Sequence, residues 1–241
     1  MLKVSLMLLF LSTVVFSQKI ETIVVGTGFY PPFSFNNEKG ELDGYDYELG
    51  NKIAKELGKK IEWKQLPFKS LFSSLDEGKL DLIIAAIHIT DERKKKYLFS
   101  TPYTNTGLVF IISAERRKEF EKIDDFYSKK IAAKEKSTGL EFVMNNKEKY
   151  KFIIEECAET DLCFVALENS RVDAIVSDYL SSRLYLKNES KFVIATPPFN
   201  LCGIGIVAKK KDAQLMKSIN DVLYKLQKSN YLKNLYIKWL L

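Results

Sequence analysis

An internal echo between two segments sets the strongest limit on the fold of this chain. Residues 72–84 read FSSLDEGKLDLII, and residues 164–176, which begin 92 positions later, read FVALENSRVDAIV. Each segment predicts the end of a helix, a tight turn, a basic residue, an aspartate and a buried strand. Solenoid repeats have periods of about 20–50 residues, so a single echo at this distance favours two similar α/β units. Chance likeness of two helix–strand segments is the alternative.

Short apolar strands alternate with amphipathic helices around the first segment. The pattern predicts strands at 23–26, 60–66 and 80–87, and helices at 45–57 and 69–77. Strands that alternate with helices favour parallel α/β sheets. Ligands of such sheets bind beyond the carboxyl ends of the strands, so the residues that follow buried strands are candidate site residues.

Charged residues follow the buried strand of each unit. His88 and Arg93 come after the strand of the first unit, and Asp178 comes after the strand of the second. A basic group on one unit and an acidic group on the other suit a zwitterionic ligand. A cleft between two units is also a frequent ligand site.

Short motifs along most of the chain resemble the polar-amino-acid family of extracellular solute-binding proteins, the receptors of ABC importers. The pieces that carry the resemblance are YPPFSF at 30–35, GELDGYDYEL at 40–49, ITDERK at 89–94, FSTPY at 99–103, KSTG at 136–139, RVDAIVSD at 171–178 and GIGIV at 203–207. Each piece is short, but their number, order and spacing make the set specific. The resemblance implies an α/β, two-lobed, periplasmic-binding-protein-like fold in which each lobe is a sheet flanked by helices.

The resemblance also implies how the chain is divided. The first lobe would be discontinuous, built from residues 18–105 and 200–241, and the second would comprise residues 106–199. Two crossings near 102–108 and 195–201 would form a hinge on which the lobes close.

Eight residues receive ligand-binding roles from the resemblance. Arg93 would bind the ligand's carboxylate, because its planar, permanently charged fork matches that group, and Asp178 would bind the ammonium group from the other lobe. The other candidates are the hydroxyl residues Ser137 and Thr138, the aromatic walls Tyr30 and Phe68, and the adjacent Ala86 and His88. His88 stands where the family often has a small hydroxyl residue, so both a ligand contact and a structural role are open.

The same residues predict selectivity. No carboxylate stands near Thr27, where relatives selective for basic side chains often carry Asp, so we expect a neutral polar amino acid rather than arginine or lysine. A buried cation without a partner charge costs several kcal/mol. An acidic ligand needs a second cation beyond Arg93, for which Lys136 and protonated His88 are candidates. If His88 takes part, binding should change between about pH 5.5 and 7.5.

Residues 1–17 predict a secretory signal peptide. Lys3 precedes an apolar run at 4–16, and Ser17 is a small residue before Gln18. The run is shorter than the ~20 residues that span a bilayer, and no later segment is apolar enough to span one. The predicted location is therefore periplasmic or extracellular.

Export makes the three cysteines relevant, because disulfides persist in oxidising compartments. Cys157 and Cys163 are close enough in sequence to form a disulfide, which would leave Cys202 over. The odd count leaves free thiols as an equal alternative.

The amino-acid composition limits the classes of molecule that this chain is expected to bind. The net charge is +6, but lysines are interspersed with acidic residues, so we expect no nucleic-acid partner. The expected partners of this predicted monomer are an amino acid and a membrane permease. A single His argues against a zinc site, and no cofactor is expected. Two other functions stay open on this fold: a cyclohexadienyl or arogenate dehydratase-like enzyme, with His88 or a carboxylate as the acid, and a ligand-sensing or adhesin module.

Overall fold

A computed structural model describes residues 21–241, apart from the side chain of Asn188, as two α/β units. Each unit is a mixed sheet with helices on both faces, which confirms the predicted fold class. The predicted signal peptide at 1–17 lies outside the described residues. Within the described part of the chain, no helix has the length and apolar character needed to cross a membrane.

Strands and helices are numbered in chain order. The strands are β1 (Thr22–Thr27), β2 (Phe35–Asn36), β3 (Leu42–Asp43), β4 (Lys60–Gln65), β5 (Leu82–Ile83), β6 (Tyr97–Phe99), β7 (Thr104–Ser113), β8 (Lys130–Lys134), β9 (Ile153–Cys157), β10 (Ala174–Asp178), β11 (Phe192–Ile194), β12 (Phe199–Ile204) and β13 (Val207–Lys209). The α-helices are α1 (Tyr45–Glu56), α2 (Phe68–Asp76), α3 (Asp91–Lys96), α4 (Thr138–Asn145), α5 (Lys147–Tyr150), α6 (Thr160–Glu168), α7 (Tyr179–Tyr185), α8 (Ala213–Lys228) and α9 (Tyr231–Leu240).

The first sheet has the strand order β4-β1-β5-β13-β6. Strands β4, β1 and β5 are parallel, and β13 runs antiparallel between β5 and β6. Successive residues of β5 face opposite sides: Leu82 belongs to the core beneath α1, α8 and α9, and Ile83 belongs to the core beneath α2. This alternation is why the apolar run that includes β5 is buried on both faces.

The second sheet has the order β11-β7-β10-β8-β9, and β12 also pairs with β7. Strands β8, β9 and β10 are parallel, whereas β7 is antiparallel to β10 and β12. Phe110 and Ile111 of β7 face opposite sides, toward the α4 core and the α6 core respectively. Because β8 and β10 are parallel neighbours, their carboxyl ends lie at the same edge of the second sheet.

The sequence echo corresponds to one arrangement that occurs in both units. Asp81 lies before β5, and its Oδ2 accepts the N–H of Val24 in β1 at 2.8 Å. Asp173 lies before β10, and its Oδ2 accepts the N–H of Lys130 in β8 at 2.9 Å. In each unit the aspartate thus joins the echoed strand to its parallel neighbour, so the echo is a structural repeat rather than a chance likeness.

The strand predicted at 80–87 is shorter than the sequence indicates. Only Leu82 and Ile83 are paired as β5, because Ala86 has a left-handed backbone with φ of 50°. The N–H of Ala86 donates to Oδ2 of the buried Asp46 at 2.6 Å, which fixes this bend. The chain leaves the sheet here and carries His88 toward the second unit. The helices predicted at 45–57 and 69–77 match α1 and α2 to within one residue at each end.

Cys157 and Cys163 form a disulfide, which settles the pairing that the sequence left open. The bond joins the last residue of β9 to the first turn of α6. Cys202 in β12 is a free, half-buried thiol.

Candidate functional site

The eight predicted site residues surround one cavity between the two sheets. The first unit contributes Tyr30, Phe68, Ala86, His88 and Arg93, and the second contributes Ser137, Thr138 and Asp178. The cavity has a volume of about 50 Å³, which is room for a few water molecules. Side chains from the two units meet across it, so the units are closed against each other.

Asp178 is the last residue of β10 and one of the most buried charged residues of the site, with 5% of its surface exposed. Its Oδ1 accepts the N–H of Ser181 at 3.0 Å and so caps α7. Its Oδ2 accepts the hydroxyl of Thr106 and also contacts His88. The carboxylate therefore caps a helix and also lines the cavity.

The amino end of α4 forms another part of the wall. Ser137 is the N-cap, and its hydroxyl accepts the N–H of Leu140 at 3.1 Å. Thr138 and Gly139 follow and line the cavity. A Cβ at Gly139 would lie 2.8 Å from the carbonyl oxygen of Val176 in β10, so only glycine lets the helix lie this close. A helix amino end with unpaired N–H groups favours an anion nearby.

His88 connects the two units through both ring nitrogens. Nε2 lies 2.9 Å from Oδ2 of Asp178, and Nδ1 lies 2.7 Å from the hydroxyl oxygen of Thr138. Burial acts to lower the pKa of His88, but hydrogen bonds and charge interactions with Asp178 and Cys202 outweigh it and raise the pKa to about 9. The ring is therefore a buried cation paired with Asp178, and it lies in the cavity wall rather than pointing away.

Arg93 reaches the cavity from α3. Thr90 caps this helix, and its hydroxyl accepts the N–H of Arg93 at 3.2 Å. The guanidinium donates from Nη1 to the carbonyl oxygen of His88 at 3.0 Å and from Nη2 to that of Lys136 at 3.2 Å. Burial lowers the pKa of Arg93 to about 10. These two partners are neutral carbonyls, so the guanidinium retains its capacity to pair with an anion.

Lys134 also lines the cavity, and the sequence prediction missed it. It is the last residue of β8, and its Nζ lies 4.5 Å from the ring centre of Tyr30 and 4.3 Å from that of Phe68. Burial lowers the pKa of Lys134 to about 8, against the attraction of Glu159 and Asp161. The rule that ligands lie beyond the carboxyl ends of parallel strands could have found it, had β8 been located.

Lys136, which the sequence offered as a second cation, takes a different position. Its side chain is exposed, and its contact with Arg93 is made by the backbone carbonyl. Within residues 21–241, the charged side chains around the cavity are the cations His88, Arg93 and Lys134 and one carboxylate, Asp178. The same residues include no group of three or more His, Cys, Asp or Glu side chains that could hold a metal ion.

Comparison with known proteins places the chain among binding proteins. A family model described as bacterial extracellular solute-binding proteins, family 3, matches residues 23–241. The L-cystine-binding protein TcyJ of Escherichia coli (strain K12) is 30% identical over 220 residues, which cover 90% of this chain and 82% of that protein. The arginine-binding periplasmic protein of Mannheimia haemolytica is 30% identical over 244 residues, covering 99% of both. The structure of an ancestral arginine-binding protein bound to arginine has a TM-score of 0.85 at 31% identity, covering 90% of this chain and 97% of that one.

Proposed function

We propose that this chain, which belongs to the bacterial extracellular solute-binding proteins of family 3, captures a polar amino acid and delivers it to the permease of an ABC importer. One observation carries the proposal: Arg93 of the first unit and Asp178 of the second face the same buried cavity. Arg93 would bind the α-carboxylate and Asp178 the α-ammonium, so both charges of a zwitterion would be met inside one closed site.

The relatives support the ligand class. Their names specify cystine and arginine, which share the α-amino acid group and differ in the side chain. A site that holds the shared group by Arg93 and Asp178 would leave the choice of side chain to the remaining wall residues. The relatives are binding proteins rather than enzymes, and this chain matches them over nearly its whole length.

The two sheets with their helices would act as the two lobes. The first lobe would comprise residues 18–105 and 200–241, and the second would comprise residues 106–199. These boundaries fall within β7 and β12, which pair with each other and form the two crossings. Besides the His88–Asp178 pair, the hydroxyl of Ser181 donates to the carbonyl oxygen of Pro31 across the cleft at 2.6 Å. Opening would break such contacts, and a bound amino acid would favour the closed form. The protein would act as a monomer that docks on the permease.

The family is described as extracellular, and a relative from Mannheimia haemolytica is named as periplasmic. We propose that residues 1–17 direct export and are then removed, because Lys3 and the apolar run that follows have the layout of a secretory signal. Sequencing the exported protein should give Gln18 as its first residue, and an intact Met1 would contradict this.

Substituting Arg93 tests the proposal. Arg93→Lys keeps a positive charge but loses the planar fork, so binding of the preferred amino acid should weaken by ~2 kcal/mol, measured by titration calorimetry. Arg171→Lys is the matched control, because Arg171 is exposed and pairs with Glu155 away from the cavity. Equal affinity in wild type and Arg93→Lys would remove Arg93 from the site.

A further inference from the structure

We infer that Lys134 selects a ligand whose side chain ends in a carboxylate. This inference rests on the proposed function, because it assigns a third contact in the same cavity, beyond the two that hold the α-amino acid group. It also replaces the sequence-based expectation of a neutral side chain, because Lys134 supplies the second cation that an acidic ligand needs.

The position of Lys134 is the first argument. Tyr30 and Phe68 are the aromatic walls predicted to hold the ligand's side chain, and the ammonium of Lys134 lies over both rings. A lysine at the end of a strand could extend into solvent, as lysines usually do. Here the charged group lies instead in the space that a ligand side chain would enter, so it is placed to contact the end of that side chain.

The balance of charge is the second argument. Among the described residues, three cations line the cavity against one carboxylate, Asp178, which pairs with His88 and would also meet the α-ammonium of the ligand. Arg93 is matched by the α-carboxylate of the ligand. Lys134 interacts with Glu159 and Asp161 through their charges at a distance, without a hydrogen bond to either. A second carboxylate on the ligand supplies the charge that is missing in the closed cavity.

The cost of the alternatives is the third argument. A ligand guanidinium or ammonium between the same rings would meet the like charge of Lys134 as well as that of Arg93. Attraction to aromatic faces contributes only ~0.5–2 kcal/mol, which does not offset a buried like-charge contact. A neutral amide fits the space but leaves the lysine charge unmatched. Lys134 thus favours a carboxylate at the end of the ligand's side chain and disfavours a cation there.

The experiment compares two ligands of nearly the same shape. Titration calorimetry measures the affinities of glutamate and glutamine, and of aspartate and asparagine, for the wild-type protein and for Lys134→Met. Methionine keeps most of the length and apolar stem of lysine but lacks its charge. Lys134→Gln serves as a second variant, and thermal melting verifies that each protein is folded. Lys130→Met is the matched control: it lies at the other end of β8, where its Nζ pairs with Glu155. L-cystine tests whether a longer side chain with a distal carboxylate uses the same contact.

We expect wild type and Lys130→Met to prefer the carboxylate member of a pair by about ten-fold or more, and Lys134→Met to lose or invert that preference. The inference is overturned if wild type binds glutamine or arginine as tightly as any carboxylate ligand, or if Lys134→Met leaves the ratio unchanged. In either case the proposed function stands, because an amino acid still binds. If no amino acid binds to wild type, the proposed function itself fails and the inference falls with it.

Discussion

At the scale of single residues, the site is a small set of charged side chains: burial lowers the pKa of Arg93 and Lys134, and interactions with Asp178 and Cys202 raise that of His88. Asp178 is fixed by Ser181, Thr106 and His88, and it supplies the negative charge that keeps the ring of His88 protonated. His88 in turn holds the two units together through Asp178 and Thr138. His88, whose role the sequence left open, thus contacts the second unit through both ring nitrogens.

The raised pKa of His88 changes the expected pH dependence. An ordinary histidine would titrate within about pH 5.5–7.5, as the sequence suggested, but with a pKa of about 9 the ring stays protonated across that range. Because the pKa of His88 is higher in the folded state than the unfolded value of about 6.5, protonation of the ring stabilises the folded state. This contribution is fully present below about pH 6.5 and is lost as the pH rises through about 9.

We therefore predict that the ligand-free protein loses stability between about pH 7 and 10 relative to His88→Gln, measured by urea unfolding. The comparison with the variant is needed because Lys134 acts in the opposite sense: burial lowers its pKa to about 8, so the cost of its charge disappears as the pH rises. Asp178 and Cys202, which interact with the ring, are present in both proteins. Parallel pH profiles for wild type and His88→Gln would show that protonation of His88 does not contribute to stability, which contradicts the prediction.

At the scale of the elements, the helices and strands up to residue 87 could be predicted because their signals are local, whereas the two-lobed arrangement rests on the resemblance to a family. Helix α1 follows from its apolar face and its end at Gly58, whose φ of 64° suits glycine. The extent of β5 could not be predicted, because the bend at Ala86 depends on a bond to Asp46, forty residues away in sequence. Lys134 was missed for a similar reason: a lysine among other lysines carries no local sign that its charged group lies over two aromatic rings in a cavity.

The structural repeat yields a stability prediction. Removing the carboxylate from Asp81 or Asp173 leaves a backbone N–H of the neighbouring strand without its partner, so Asp81→Ala and Asp173→Ala should each lower the free energy of unfolding by ~1–3 kcal/mol. Asp173→Ala should cost more, because Asp173 also pairs with Arg116 at 2.8 Å. Chemical denaturation measures both, with Asp221→Ala on the exposed face of α8 as the control. If both variants were as stable as the control, the echo would have no structural role.

At the scale of the whole molecule, the two units close on a cavity of about 50 Å³, well below the ~300 Å³ or more that ligand pockets usually have. The ammonium of Lys134 lies over the rings of Tyr30 and Phe68, and His88 joins the two units through Asp178 and Thr138. Binding an amino acid therefore requires the units to separate or these side chains to move, and β7 and β12 are the segments on which the units would rotate. Capture by closure, rather than by a rigid preformed pocket, is the mechanism that this geometry supports.

The central claim is that the folded protein binds an amino acid, and a thermal-shift screen of the purified wild-type protein tests it most directly. The panel is the twenty standard amino acids with L-cystine. A separate incubation with prephenate or arogenate, followed for aromatic product, tests for dehydratase-like activity. A ligand that binds only the folded state raises the melting temperature, and at a hundred-fold excess over Kd the shift should be about 5–10 °C. We predict such a shift for at least one polar amino acid, largest for those with a side-chain carboxylate, and no turnover of prephenate or arogenate. An unchanged melting temperature with every amino acid in the panel would contradict the claim.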